Sequence, residues 1–392
     1  MHVLIIPSEH YVTKRVPLGG IFQRDLANAL VADGTKVGVV APGFISPRGL
    51  FSKYLYEKVE FDHSVDVVRD YRRRLVPEHY VSVERLIAQY TKVGNKLFRD
   101  YVKDNGPPDL IHAHGFIFAG SIAKSIFEST GISYAVTEHN SAFQRGVMSQ
   151  RFSHEVASVA ISAAGISAVS SALVDSIYKY LGSYDGRISV LPNLLPQDLK
   201  RPIRLRNDKL NEKFTYIAVG ALDENKNHEL LIRAFENLDR RESVRLIIVG
   251  SGPLHRRLEL LTKELKINNQ VLFVGYKNRD EVAKLMSESN CLVVSSQVET
   301  FGVVILEALA SGIPVVSTRC GGPDSIVSSS NGLLVELGDV DQMTSAMDEI
   351  RSRYQDFDPE SLRSDVVERF GHGSYLRGVH EFYRLALTAL PA

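Results

Sequence analysis

A chain of 392 residues is longer than one ordinary hydrophobic core supports, so two domains are expected. With 44% apolar and 23% charged residues the composition excludes a disordered or fibrous protein, and 46 basic against 46 acidic side chains leave no global field for a nucleic acid. Two cysteines, Cys291 and Cys320, cannot build a disulfide framework, and no apolar run nears the ~20 residues of a membrane span. The opening Met1–Pro7 run is too short for a signal segment, so a cytoplasmic chain, or one peripheral on the inner face of a membrane, is expected.

Short apolar runs alternate with helical patterns, the mark of an α/β chain whose parallel sheets are covered by helices on both faces. Strands are predicted at 3–6, 37–40, 110–111, 134–137, 166–169 and 189–191, all within one domain, 1–195. A polar, basic linker, 196–213, leads to a restarted pattern with strands at 214–219, 245–249, 271–274, 291–294, 314–317 and 333–335, the domain 214–370. Apolar residues at 3.6 spacing, such as Leu230, Leu231, Ala234, Phe235 and Leu238, mark the intervening helices. The final segment, 371–392, carries a helix over 375–390 with Leu376, Val379, Phe382, Tyr383 and Leu387 on one side, and no strand follows it. Ligands of open parallel sheets gather at the carboxyl ends of strands, so residues just after the strands are the candidates for chemistry.

The stretch Glu299 to Ala310 places two carboxylates, Glu299 and Glu307, on either side of seven residues, and Gly302 opens a helix within it. Backbone amides at a helix start suit a phosphate, and Phe301 and Gly302 would face it. Glu307 falls in the second helical turn among apolar residues, where a carboxylate needs a hydrogen-bonding partner such as a ribose diol. Asp339-Val340-Asp341 has a metal-binding spacing but precedes a helical pattern, so helix capping is the expected role. His112 and His114 project to one side of a strand end, yet no further zinc ligand is evident. Gly250-Ser251-Gly252 lacks the third glycine of the dinucleotide fingerprint. Arg72-Arg73-Arg74, with Tyr71 and the upstream Lys53, Tyr54, Tyr56 and Lys58, is either a solvated run or a surface for anionic lipid.

Together with Pro17-Leu18-Gly19-Gly20, Asp109 to Gly115, Thr137-Glu138-His139-Asn140, Leu191-Pro192-Asn193, Val219-Gly220, Lys226-Asn227, Val249 to Pro253 and Cys320 to Ser325, this stretch resembles glycosyltransferase family 4 over nearly the whole chain. The resemblance implies a retaining enzyme of GT-B architecture. Two Rossmann-like domains would face a central cleft, the first for the acceptor and the second for a nucleoside diphosphate sugar, with the last helix crossing back to the first domain. It implies no cofactor and no metal, a glycan or lipid-linked acceptor, and a place in polysaccharide or glycoconjugate assembly.

Residue by residue, the resemblance puts His139 and Glu299 at the transferred sugar and Thr300, Phe301, Gly302 and Glu307 at the nucleotide. Gly19 and Gly20 let backbone approach the diphosphate, the alternative being a tight turn, and Gly252 stands among the donor-binding residues. Lys226 would set a point charge on phosphate, the alternative being a solvated loop lysine. The family's arginine after the glycine equivalent to Gly220 is replaced here by Ala221. An epimerase of the same fold, or a catalytically silent sugar-nucleotide or glycan-binding protein, are the other readings of the pattern.

Overall fold

The computed structural model describes residues 1–7, 11, 20–45, 66–73, 81–196, 213–239 and 243–388, with backbone alone for 44–45 and 66–73. The chain divides into two units, one formed by Met1–Val169, Leu173–Leu194 and Tyr375–Ala392, the other by Ser170–Ala172 and Leu195–Ser374.

The first unit runs β1 (His2–Ile6), α1 (Ile21–Ala32), β2 (Lys36–Ile45), β3 (Asp66–Arg73), α2 (Val83–Asn105), β4 (Leu110–His114), α3 (Ser121–Thr130), β5 (Tyr134–Glu138), α4 (Ser153–Ser162), β6 (Gly165–Ala168), α5 (Ser171–Leu181) and β7 (Ile188–Val190). All strand pairs are parallel, in the order β3-β2-β1-β4-β5-β6-β7. Helices on both faces leave a central strand no wet side, so β1 and β4 are buried at every residue. Helix α2 shows how local signals set bounds. Ser82 accepts the Arg85 amide at its start, Glu84 sits in the first turn, Lys103 in the last, and Gly106 ends it at a positive φ of 76°. Its Tyr101 fills the space above Gly38 of β2, where any Cβ would lie 2.1 Å from the Tyr101 hydroxyl.

Strand β3 was not predicted. Its sequence, Asp-Val-Val-Arg-Asp-Tyr-Arg-Arg, lacks the apolar run of a buried parallel strand; among the described residues it pairs only with β2, at the sheet's edge, where charge guards against further pairing. Arg72 and Arg73 therefore belong to a strand. Arg74, Lys53, Tyr54, Tyr56, Lys58, Gly19 and linker residues 197–212 lie outside the described residues.

The second unit runs β8 (Phe214–Val219), α6 (His228–Glu236), β9 (Val244–Val249), α7 (His255–Glu264), β10 (Val271–Gly275), α8 (Arg279–Ser287), β11 (Cys291–Val294), α9 (Val303–Ala310), β12 (Val315–Thr318), β13 (Gly332–Val335), α10 (Val340–Ser352) and α11 (Pro359–Phe370). Its six strands are parallel in the order β10-β9-β8-β11-β12-β13. Asp339 caps α10 by accepting the Gln342 amide at 2.8 Å, the role expected of it.

The last helix, α12 (His372–Thr388), belongs from Tyr375 onward to the first unit, where Leu376, Val379, Phe382, Tyr383 and Ala386 share a core with Val3, Ile5, Leu26 and Leu30. Leu387, expected on that buried side, is 44% exposed, and Ala386 takes its place. Each unit is a doubly wound α/β sheet. Strand order reverses between β1 and β4 in the first and between β8 and β11 in the second, and a crevice opens at such switch points.

Candidate active site

In the second unit the two loops that leave the switch strands carry the charged residues of interest. After β8, Asp223 Oδ1 accepts the Lys226 amide at 3.0 Å, and Asn227, in the left-handed region at φ 46°, turns the chain into α6. After β11, Ser295 Oγ donates to the Lys226 carbonyl at 2.8 Å, the Gln297 amide donates to the Asn225 carbonyl at 2.7 Å, and Asn225 Nδ2 donates to the Val298 carbonyl at 3.0 Å. These bonds fix the two loops against each other.

Across the join, Lys226 Nζ pairs with Glu299 Oε1, which also accepts the Ser296 hydroxyl at 2.8 Å. Lys226 keeps 26% of its side chain exposed and Glu299 14%, so the pair is reachable from solvent. The Lys226 methylenes lie against Gly220, where a Cβ would come within 3.2 Å of them. Glu299 is tied further by its amide to the Cys320 carbonyl and by its carbonyl to the Gly322 amide. Ala221 is exposed and contributes no charge.

Gly302 stands at φ 97° and starts α9 without any side-chain cap; the Ile305 amide turns back to the Gly302 carbonyl at 2.9 Å, which leaves the earlier amides of that turn as candidates for another acceptor. Thr300 is half-buried, and so is Glu307, flanked on α9 by the buried Ile305, Leu306, Ala308, Leu309 and Ala310. The Phe301 ring is buried edge-on to Phe370 at 5.7 Å, so only its backbone remains for a ligand. At Gly252 a Cβ would strike the Leu222 backbone at 2.4 Å. The lack of a side chain there is already required by the chain's own packing.

The first unit brings the His112 and His114 pair together with His139, which the sequence named in a separate motif. Buried His112 is held at both ring nitrogens, Nδ1 at 2.7 Å from the Tyr383 hydroxyl and Nε2 at 2.7 Å from Thr137 Oγ1. Its ring lies 4.2 Å from that of His114, whose Nδ1 stands 2.9 Å from Nε2 of His139. Phe22 lies parallel to the His139 ring at 6.1 Å. Burial holds all three rings neutral: it pushes His112 down to about 3, with the His139 charge adding to it, and it pushes His114 well below the usual histidine range. His139 falls to about 4 through burial, opposed in part by the Asn193 side chain.

Glu138 is 3% exposed and accepts three backbone amides, Phe116 at 3.1 Å and His139 and Asn140 at 2.8 Å each. It locks together the loops after β4 and β5 and so sets where His139 stands. Burial raises its pKa and the three amides counter that. The motif Thr137 to Asn140 contained it, but nothing in the sequence told a loop-locking carboxylate from a solvated one. Gly20, in the left-handed region at φ 59°, starts α1 with its Cα facing Tyr11; a Cβ would lie 3.1 Å from the Tyr11 backbone. No cluster of three or more His, Cys, Asp or Glu side chains placed to hold a metal occurs among the described residues.

Comparison with known proteins accounts for most of the chain. The Glycosyl transferase 4-like domain matches residues 19–194 and Glycosyl transferases group 1 matches residues 200–361. An uncharacterized glycosyltransferase of Methanocaldococcus jannaschii is 30% identical over 196 residues, 49% of each chain. The matched stretch thus spans about half the length of that relative. In structure, the chain resembles sucrose-phosphate synthase from Thermosynechococcus elongatus over 100% of both chains, with a TM-score of 0.76 and 21% identity. It also resembles HepE of Anabaena, solved in complex with UDP and glucose, over 98% and 100% of the two chains, with a TM-score of 0.72 and 16% identity.

Proposed function

From a chain that belongs to the glycosyltransferases pairing a 4-like domain with a group 1 domain, and that has their GT-B fold, we propose an enzyme that transfers a sugar from a nucleoside diphosphate sugar to a hydroxyl acceptor with retention of configuration and without a divalent ion. The observation that carries this reading is the Lys226–Glu299 pair across the switch point of the second sheet.

In this reading the pair is the resting state of a diphosphate site. An incoming diphosphate draws the Lys226 ammonium and lies on the amides that start α9, which releases Glu299 to accept hydroxyls of the sugar. Glu307 accepts the ribose diol, and His139 contacts the transferred sugar. The bond from the anomeric carbon to the diphosphate oxygen breaks while the acceptor oxygen bonds to the same face of that carbon. The acceptor's proton passes to the leaving diphosphate, whose growing negative charge Lys226 and the helix amides stabilise. The two-carboxylate scheme of glycoside hydrolysis is not needed.

A glycan or a lipid-linked glycan is the acceptor class, and the Arg72 and Arg73 positions on edge strand β3 are our candidates for contact with an anionic membrane surface. Among the described residues no helix is long and apolar enough to cross a membrane. Incubation with uridine, guanosine and adenosine diphosphate sugars tests the reading. A transferase releases nucleoside diphosphate when an acceptor is supplied. Rearrangement of the donor alone would mark an epimerase, and binding without turnover a silent sugar-nucleotide protein.

A further inference from the structure

We propose that Arg369, in the last turn of α11, is a positioning residue that holds the backbone of the Glu299 segment through the loop 320–326. What this does for a bound sugar rests on the function proposed above; the backbone clamp does not.

Glu299 lies beyond the end of β11 and makes only an isolated parallel bridge, with Gly321, so a neighbouring loop has to fix it. The Glu299 amide donates to the Cys320 carbonyl at 3.0 Å, and the Gly322 amide donates to the Glu299 carbonyl at 2.7 Å. Gly322 is also pressed against Phe301, where a Cβ would lie 2.3 Å from the Phe301 Cα. Glu299 and Phe301 therefore stand where this loop stands.

The loop is anchored at its far end by α11. Arg369 Nη2 donates to the Ser325 carbonyl at 2.7 Å and Nη1 to the Ile326 carbonyl at 3.2 Å, at the end of the short turn Gly322–Ser325. Asn331 Nδ2 gives the Ile326 carbonyl a second support at 3.1 Å. Asp365, one turn earlier, accepts Nη1 at 3.1 Å, and the guanidinium lies 4.8 Å from the centre of the Phe370 ring, which holds the fork in one orientation. The Phe370 ring in turn meets Phe301 edge-on at 5.7 Å. The end of α11 thus grips the segment twice, by Arg369 through the loop and by Phe370 against Phe301.

The Glu299 carboxylate is held by Lys226 and Ser296. Once a diphosphate draws Lys226 away, the backbone set by Arg369 and the Ser296 hydroxyl keep the carboxylate in place for the sugar. A bare nucleoside diphosphate offers Glu299 no hydroxyl of a transferred sugar, so loss of Arg369 falls on the sugar ester.

Amide hydrogen exchange followed by NMR on the full-length protein reads the clamp directly. The Arg369 side chain is 35% exposed, so it can be replaced without emptying the core. Arg369→Met keeps a stem over Phe370 and removes both donors, whereas Arg369→Lys keeps one. In Arg369→Met we expect the Glu299 and Gly322 amides to exchange about tenfold faster, with the β11 amides unchanged and Arg369→Lys in between. Unchanged exchange at Glu299 and Gly322, or an equal rise throughout the second unit, would overturn the clamp; Arg369→Lys supplies the same comparison if Arg369→Met does not fold.

Calorimetry with uridine, guanosine and adenosine diphosphates and their glucose esters reads the consequence. With whichever base binds, Arg369→Met should weaken the glucose ester about fivefold to tenfold and the bare diphosphate less than about twofold. Glu299→Gln separates the two ideas. If it leaves the ratio of the two affinities at the parent value, the sugar role of Glu299 fails and exchange still decides the clamp. A shifted ratio in Glu299→Gln beside a parent ratio in Arg369→Met would overturn the positioning role.

Discussion

Replacing Lys226 with alanine removes a cation that stands at the switch point of the second unit, with Ala221 adding none. At about 4 Å and an effective dielectric near 20, a unit charge on phosphate is worth about 4 kcal/mol. Lys226 is partly exposed and is drawn from Glu299 before it meets phosphate, so less than this is lost. Loss of comparable electrostatic stabilisers costs about 2.7–4 kcal/mol, a fall of 10²–10³ in kcat, and we expect that range. Removing Lys226 also leaves Glu299 with only the Ser296 hydroxyl on its Oε1, an uncompensated negative charge facing an anionic donor. The second change Glu299→Gln should therefore weaken donor binding less in the Lys226→Ala background than in the parent, with a coupling of about 0.5–3 kcal/mol. Steady-state kinetics of the four proteins, each shown by thermal melting to be folded, supply the cycle. An unchanged kcat in Lys226→Ala, or strict additivity of the two substitutions, would refute the reasoning.

Glu307→Ala should raise KM for the donor with little change in kcat, by about 1.5–3 kcal/mol of lost charged hydrogen bonding, because a ribose contact is shared by ground and transition states; initial rates against donor concentration check it. Turnover should survive excess chelator, and activity abolished by chelation and restored by magnesium or manganese would remove the metal-free mechanism. Stability should fall as pH drops below about 6.5. The folded pKa values of His112, His139 and His228 lie below the unfolded value, at about 3, 4 and 4, so the unfolded chain binds protons first. Each costs about 1.4 kcal/mol per pH unit until its folded pKa is reached; Glu138, whose pKa is raised, opposes the trend above about pH 4.3. Chemical denaturation at pH 7 and pH 5 measures the difference.

Most of the fold was legible because a parallel sheet covered on both faces demands apolar strands, and β1, β4, β8 and β11 are written that way. Strand β3 was not, since an edge position tolerates Asp66, Arg69, Asp70, Arg72 and Arg73. On α12 the apolar spacing located the helix, but 3.6 periodicity alone does not decide between Ala386 and Leu387 at the rim of a buried stripe. At the site, Lys226 and Glu299 were named for separate tasks. Their pairing joins residues 73 positions apart and became visible only once β8 and β11 were neighbours. Ser296, Glu138 and the His114–His139 contact escaped for the same reason, because a hydroxyl, a carboxylate or an imidazole gives no sequence signal of the partner that holds it.

The central claim, transfer of a sugar with retention, is tested most directly by following a nucleoside diphosphate sugar and a hydroxyl acceptor with the protein by NMR. The account predicts nucleoside diphosphate released in step with a product whose anomeric configuration is that of the donor. An inverted product, a donor rearranged in the absence of acceptor, or no release with any donor that binds would contradict it.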